Sequence, residues 1–326
     1  MILTTPFLRE IRSIFPESQT YLVTTPIGVE VLDGIPNLNL IPLDKKKLGL
    51  RKSIQFVLEE TKGIEFDFVF CVHRSFRSLL LTKAVRAKNK FVFKSFFSFL
   101  LGLPSISYPK YSEDIHYAEK PKELLKAAGF SVSNQKKPEL VLSDADIAHW
   151  KSWNLESDYI VLNPFSNWGT KMWFADRYAQ VASEISKELK VPIVVIGQNV
   201  PREKVISKTV CEKVSRFGGV AIDLVGTTSV AELKVLIAKA RLLISNDSAP
   251  VHIAAAFDIP TVAVFGPTVR KLGFFPLSTK TKVVEVSGLE CRPCSLHGPQ
   301  KCPKRHFRCM DDIKVEQVVS AVKGLL

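Results

Sequence analysis

Cysteine is scarce in this chain, with six among 326 residues. That is too few for the disulfide framework of a small secreted domain. No basic leader with an apolar centre and a small-residue cleavage site opens the sequence, so a cytoplasmic chain with reduced thiols is expected. Long apolar runs are missing as well. The longest uncharged run, Ser95 to Pro109, covers 15 residues and includes Gly102 and two prolines, whereas a bilayer crossing needs about 20 apolar residues. No membrane span is expected. With 16 Gly and 19 Pro, collagen-like and low-complexity chains are excluded, and no acidic tail is present.

What remains is an ordinary folded composition, 46% hydrophobic and 10% aromatic, in a chain long enough for two domains of roughly 100–200 residues each. Basic residues outnumber acidic ones, giving a formal net charge of +13. The excess is spread: 22 Lys and Arg stand against 16 Asp and Glu up to residue 155, and 23 against 16 beyond it. Such a surface suits a polyanion, whether nucleic acid, phosphorylated glycolipid or an anionic membrane. Nucleic acid is set aside, because no recognition motif accompanies the charge.

The second half alternates short β-branched runs with amphipathic stretches. Strands are expected at Tyr159–Asn163, Pro192–Gly197, Ala221–Val225, Leu242–Asn246 and Thr261–Phe265. Continuous apolar runs such as Ile193–Ile196 fit strands buried on both faces of a parallel sheet. Gly197, Gly226 and Gly266 stand where strands hand over to loops, at the carboxyl edge where open α/β sheets bind ligands. The first half keeps the rhythm less clearly, with strands expected at Thr20–Thr24, Asn39–Leu43, Asp67–Val72 and Lys90–Phe93, and helices at Pro6–Phe15, around Ile54–Lys62 and at Pro121–Ala128. The pattern loosens from Asn134 to Asp158. A boundary near residue 155 follows, with domains over 1–155 and 156–326, and the valine-striped last helix from Lys314 could pack back on either.

One stretch carries most of the chemistry: Ser245-Asn-Asp-Ser-Ala-Pro-Val-His252, set between the fourth and fifth strands of the second half. Asp247 and Ser248 can cap a helix whose first turn offers backbone N–H groups, small Ala249 allows close approach, and Pro250 presets a helical dihedral without removing a needed donor. A diphosphate fits such an end, and His252 lies one turn further in. The plain alternative makes Asp247 only a cap and His252 a satisfied core histidine.

SNDSAPVHIAAAFDIPTVAVFGPT, residues 245–268, is similar to the signature of family 9 glycosyltransferases, the lipopolysaccharide heptosyltransferases. The likeness continues in NPFSNWGTKMWFADRYAQVA (163–182), in TTPFLREIRSIFP (4–16), and in the Cys-rich ending 291–318, which resembles the branch adding the second heptose. The resemblance implies a GT-B fold, two doubly wound Rossmann-like α/β domains facing across a cleft, with the acceptor at the first and the nucleotide sugar at the second. It also implies that Asp247, Ser248, Ala249 and His252 hold the donor's diphosphate and sugar. Lys171 matches the family's phosphate-binding lysine, with Ser166 and Asn167 in place of its hydroxyl pair. Asn167 departs from the usual Thr or Ser, though an amide still donates a hydrogen bond.

A departure concerns the base. The family's Gly-Asp pair, thought to deprotonate the acceptor, would fall just before Met1, so no residue here takes that role. Glu10 and Asp33, the nearby acids, read as surface charges. The domain's first strand is missing at the same place, and the expectation is a start set too late, with Met1 internal to the gene product. The rival expectation is a nucleotide- or phosphoglycan-binding protein with little or no catalysis.

Cys291, Cys294, Cys302 and Cys309 have the count for a structural zinc site, with His297 and His306 as substitutes; free thiols are the alternative, and neither a cofactor nor a catalytic metal is expected. Lys301, Lys304, Arg305 and Arg308 could meet acceptor phosphates or form a solvated loop. Between Arg74 and Lys94 lie seven cations and no acid, beside Phe91, Phe93, Phe96, Phe97 and Phe99. Cations next to apolar rings are how a peripheral protein meets an anionic bilayer, although some of these rings must be core. The expectation is an inverting, metal-independent transferase that moves heptose from ADP-heptose to the lipopolysaccharide core at the inner membrane.

Overall fold

The computed structural model describes residues 1–153, 155 and 158–326. Residues 154, 156 and 157, which flank the boundary expected near 155, lie outside the described residues. The chain divides into two compact units, Met1–Lys136 and Lys137–Leu326. The division comes before residue 155 because the helix Asp144–Ser152 packs on the helix Val230–Ala238. Lys234, in that second helix, donates from Nζ to the Val141 carbonyl at 3.1 Å.

In the first unit, β1 (Thr20–Thr24) pairs in parallel with β2 (Leu38–Pro42), while β3 (Phe66–Cys71), β4 (Ala87–Phe93) and β5 (Ser105–Ile106) form a separate parallel sheet. The helix Thr5–Ile14 opens with Pro6, whose fixed φ suits a first helical turn, and its Phe7 meets Phe70 edge to face at 5.7 Å. Glu10 departs from expectation. It is buried, accepts from Lys122 Nζ at 2.9 Å and from the Ser133 N–H at 2.9 Å, because the helix turns that side toward the chain's return at 122–135. Asp33 is exposed. Of the five phenylalanines, Phe93 is buried and Phe91 stacks on Phe70 at 5.6 Å, while Phe96, Phe97 and Phe99 are exposed.

The second unit holds β6 (Ile160–Asn163), β7 (Ile193–Val195), β8 (Ala221–Asp223), β9 (Leu242–Asn246), β10 (Thr261–Phe265) and β11 (Thr281–Glu285) in one parallel sheet of order β11-β10-β9-β6-β7-β8. This is a doubly wound α/β sheet. The chain first runs from β6 out to β8, then returns to the other side of β6 with β9, so the carboxyl ends of β6 and β9 mark the point where the winding reverses. Both strands are buried along their whole length, which explains their unbroken apolar runs. The first unit's two sheets resemble the flanks of this one, with no counterpart to β6 among the described residues.

The last helix, Val315–Lys323, belongs to the second unit. Val318, Val319 and Val322 are buried in that unit's core, and Lys323 pairs with Glu184 and Glu188 of the helix Ala175–Leu189. No helix among the described residues is long and apolar enough to cross a membrane.

Candidate functional site

Where β6 and β9 part, Asn163 ends one strand and Ser245–Asn246 end the other. The Asn163 amide donates from Nδ2 to Ser245 Oγ at 3.0 Å and to Ser248 Oγ at 2.8 Å. Ser248 therefore stands at the N-cap of the helix Ala249–Phe257 without its hydroxyl capping that helix. Pro250 has no N–H and Val251 donates to the Ser248 carbonyl at 3.2 Å, so the Ala249 N–H is the first-turn donor left for an anion at this helix end. Buried Val251, Ile253, Ala254 and Ala255 press the helix onto the sheet and fix where this end points.

Asp247 does not cap either, a correction to the sequence reading. Its carboxylate is buried and accepts at Oδ2 from Lys171 Nζ at 2.6 Å and from the Thr268 hydroxyl at 2.6 Å. Three segments thus converge on one carboxylate: the loop after β6 brings Lys171, the turn after β9 brings Asp247, and the turn after β10 brings Thr268. Each turn follows a strand of the same sheet, so the sheet sets their spacing. Lys171 has three N–H donors and spends one on Asp247.

His252 lies against this pair. Burial pushes its pKa down to about 4; the Asp247 carboxylate pulls the other way and the Lys171 ammonium reinforces the fall. The imidazole is therefore neutral at physiological pH, and its Nδ1 is buried with no hydrogen-bond partner. That leaves a polar atom unused beside the helix end, so the satisfied-core alternative does not describe it.

Ser166 and Asn167 share the Lys171 loop but turn to other partners. Ser166 Oγ accepts from the Trp168 N–H at 3.2 Å, and Asn167 Oδ1 accepts from Gln198 Nε2 at 2.9 Å. A neighbouring segment shapes the loop. Gly298 sits at φ +81°, where a Cβ would come within 2.9 Å of Pro267 and 3.4 Å of the Lys171 side chain, so the backbone approaches Pro267, next to the Lys171 side chain, more closely than a residue with a Cβ allows. Trp168 stacks on His297 with ring centroids 6.0 Å apart. Asn163, Thr268 and Gly298 were not picked out from the sequence. Thr268 and Gly298 carry no local signal, whereas Asn163, the polar end of an apolar strand, offered one.

The zinc expectation is not met by this geometry. Among the described residues no three His, Cys, Asp or Glu side chains come together as a metal site. Cys294 turns its thiol to the Cys291 carbonyl at 3.3 Å, and Cys309 is buried in the apolar core. Lys301, Lys304, Arg305 and Arg308 are exposed, and Arg308 pairs with Asp312 at 3.0 Å.

The family model described as "Glycosyltransferase family 9 (heptosyltransferase)" matches residues 57–302. A lipooligosaccharide heptosyltransferase 2 from Campylobacter jejuni is 25% identical over 340 residues, spanning 100% of this chain and 94% of that protein. Among solved structures, a family 9 glycosyl transferase from Veillonella parvula superposes with TM-score 0.83 at 22% identity over 99% of this chain and 93% of its own. E. coli ADP-heptose lps heptosyltransferase II superposes with TM-score 0.77 at 18% identity over 100% and 94%. At those identities the superpositions speak for the GT-B fold alone.

Proposed function

The chain belongs to glycosyltransferase family 9, the heptosyltransferases, and from that premise we propose that this glycosyltransferase moves heptose from ADP-heptose onto the lipopolysaccharide inner core, with inversion at the anomeric carbon and no metal. The observation that carries the reading is the cluster of Lys171, Asp247 and Thr268 beside the uncapped helix end at Ser248.

Breaking the bond from the anomeric carbon to the diphosphate oxygen leaves negative charge on the departing ADP. A buried ammonium and the N-terminal end of the helix, already fixed in place, stabilise that charge without reorganising during the step. Asp247, itself held by the Thr268 hydroxyl, takes one N–H of Lys171, which leaves two donors for phosphate oxygens. The Ala249 N–H at the helix end adds a further donor, the cation's role being filled by lysine in place of a metal. Neutral His252 offers a hydrogen bond to the donor, and Ser166 and Asn167 line the same loop. The acceptor hydroxyl attacks from the face opposite the diphosphate, which inverts the configuration. Its base is not assigned to any residue.

The Campylobacter jejuni and E. coli proteins are named as lipooligosaccharide and lps heptosyltransferases, and the even positive charge suits a phosphorylated glycolipid acceptor at the cytoplasmic face of the inner membrane. The test is incubation with ADP-heptose and an inner-core acceptor, with and without EDTA, following ADP release and the anomeric configuration of the product by NMR. Transfer with inversion, unaffected by chelator, is expected. Tight ADP binding with no transfer would move the reading to a nucleotide-binding protein.

A further inference from the structure

We propose that the helix Phe96–Leu100, with Phe76 beside it, is a docking surface for an anionic lipid bilayer. This deepens the proposed function, resting on it for the membrane-bound acceptor, and names the surface that would meet the membrane. Phe96 is 73% exposed, Phe99 82% and Leu100 62%. Phe97 and Phe76 are partly exposed and meet each other with ring centroids 5.1 Å apart, while Phe96 stands 5.6 Å from Phe97. Phe76, Phe97 and Phe96 thus touch in series, and Phe99 and Leu100 are exposed on the same five-residue helix, unlike the scattered single apolar residues of an ordinary surface.

The patch is held outward rather than left loose. Ser95 and Ser98 form a reciprocal capping box, Ser98 is fully buried, and its carbonyl accepts from the Leu103 N–H at 3.0 Å. With Ser98 anchored on the inner side of so short a helix, its phenylalanine neighbours are committed to solvent.

Charge selects the occupant. From residue 68 to residue 112 the chain has eight Lys and Arg and no Asp or Glu. Arg74, Lys83 and Lys94 are exposed, and Lys83 reaches the carbonyl of Leu101, just past the helix, at 2.9 Å. A second copy of the chain would bring the same positive charge to the same patch and be repelled. An anionic lipid surface matches both components, since rings enter the headgroup boundary while each nearby cation gains from the surface potential.

The test is flotation of the full chain with phosphatidylglycerol-containing vesicles and with vesicles of phosphatidylcholine alone, beside the variants Phe96→Ser/Phe99→Ser and Lys94→Gln. The expected result is preference for the anionic vesicles that shrinks with added salt, binding about tenfold weaker for the double phenylalanine variant, and unchanged transfer to a deacylated, water-soluble acceptor. Equal binding by the wild type and the double variant overturns the proposal. So does equal affinity for both vesicle types, or a concentration-dependent dimer that the phenylalanine variant abolishes. Flotation needs neither donor nor acceptor, so vesicle binding without transfer would sink the transferase reading and leave this one standing.

Discussion

Replacing Lys171 with methionine keeps most of the side chain's volume and deletes its charge. At the observed 2.6 Å, a unit ion pair at an effective dielectric of about 20 attracts by about 6 kcal/mol. Most of that offsets the desolvation of two groups that are both buried. Removing one partner leaves the Asp247 carboxylate buried with only the Thr268 hydroxyl, a loss of about 3–5 kcal/mol in comparable cases, against a total stability of about 5–15 kcal/mol. Adding Asp247→Asn takes away the stranded charge while keeping an acceptor for Thr268, so the double variant should recover most of the stability. Transfer should behave differently. Lys171→Met should lower kcat/KM by about 10²–10³, and the double variant should stay low, because the ammonium that meets the leaving diphosphate is still gone. Urea midpoints and initial rates of ADP release measure the two effects on the same samples. If the double variant regains transfer along with stability, Lys171 is merely Asp247's counter-ion and the leaving-group argument fails.

Two further outcomes follow from the same site. His252 has its pKa lowered to about 4 in the folded chain, so the unfolded chain binds the extra proton first as pH falls from about 6.5. Stability should therefore drop between about pH 6.5 and pH 4, by up to about 3 kcal/mol, and His252→Gln should flatten that slope in urea titrations; an unchanged slope would show that His252 is not the neutral buried group described. Gly298→Ala should cost about 1–3 kcal/mol for a strained left-handed residue and raise KM for the donor, since its Cβ would sit 2.9 Å from Pro267 and 3.2 Å from Thr170 Oγ1. Thermal melts and donor titrations check this, and an unaltered KM would show that the loop carrying Lys171 tolerates the intrusion.

The second unit was largely legible because its strands are buried on both faces. Leu242–Asn246 and Thr261–Phe265 are unbroken apolar or small-residue runs, and their expected ends coincide with the observed ones. β11 escaped notice because Thr281–Glu285 mixes charge with valine at the sheet's edge, where one side faces solvent and the apolar run is interrupted. Glu10 was misread for a different reason. Nothing local announces that Lys122 and Ser133, more than a hundred residues away, will close over it, and hydrogen bonds from Ser133 together with the Lys122 pair outweigh the burial that would raise its pKa, leaving it below the ordinary range.

Within the candidate site, the chain's order of residues determined that a helix would begin near Ser248 with small residues and a proline, since those are local dihedral and capping preferences. It also determined that Lys171, Asp247 and His252 would each follow a strand. Only the tertiary structure decided that Asp247 spends its carboxylate on Lys171 and Thr268 instead of on the helix, and that Asn163 takes up the Ser248 hydroxyl. Those outcomes depend on which strands lie side by side in the sheet, and that order is set by long-range burial, to which no short stretch of sequence has access.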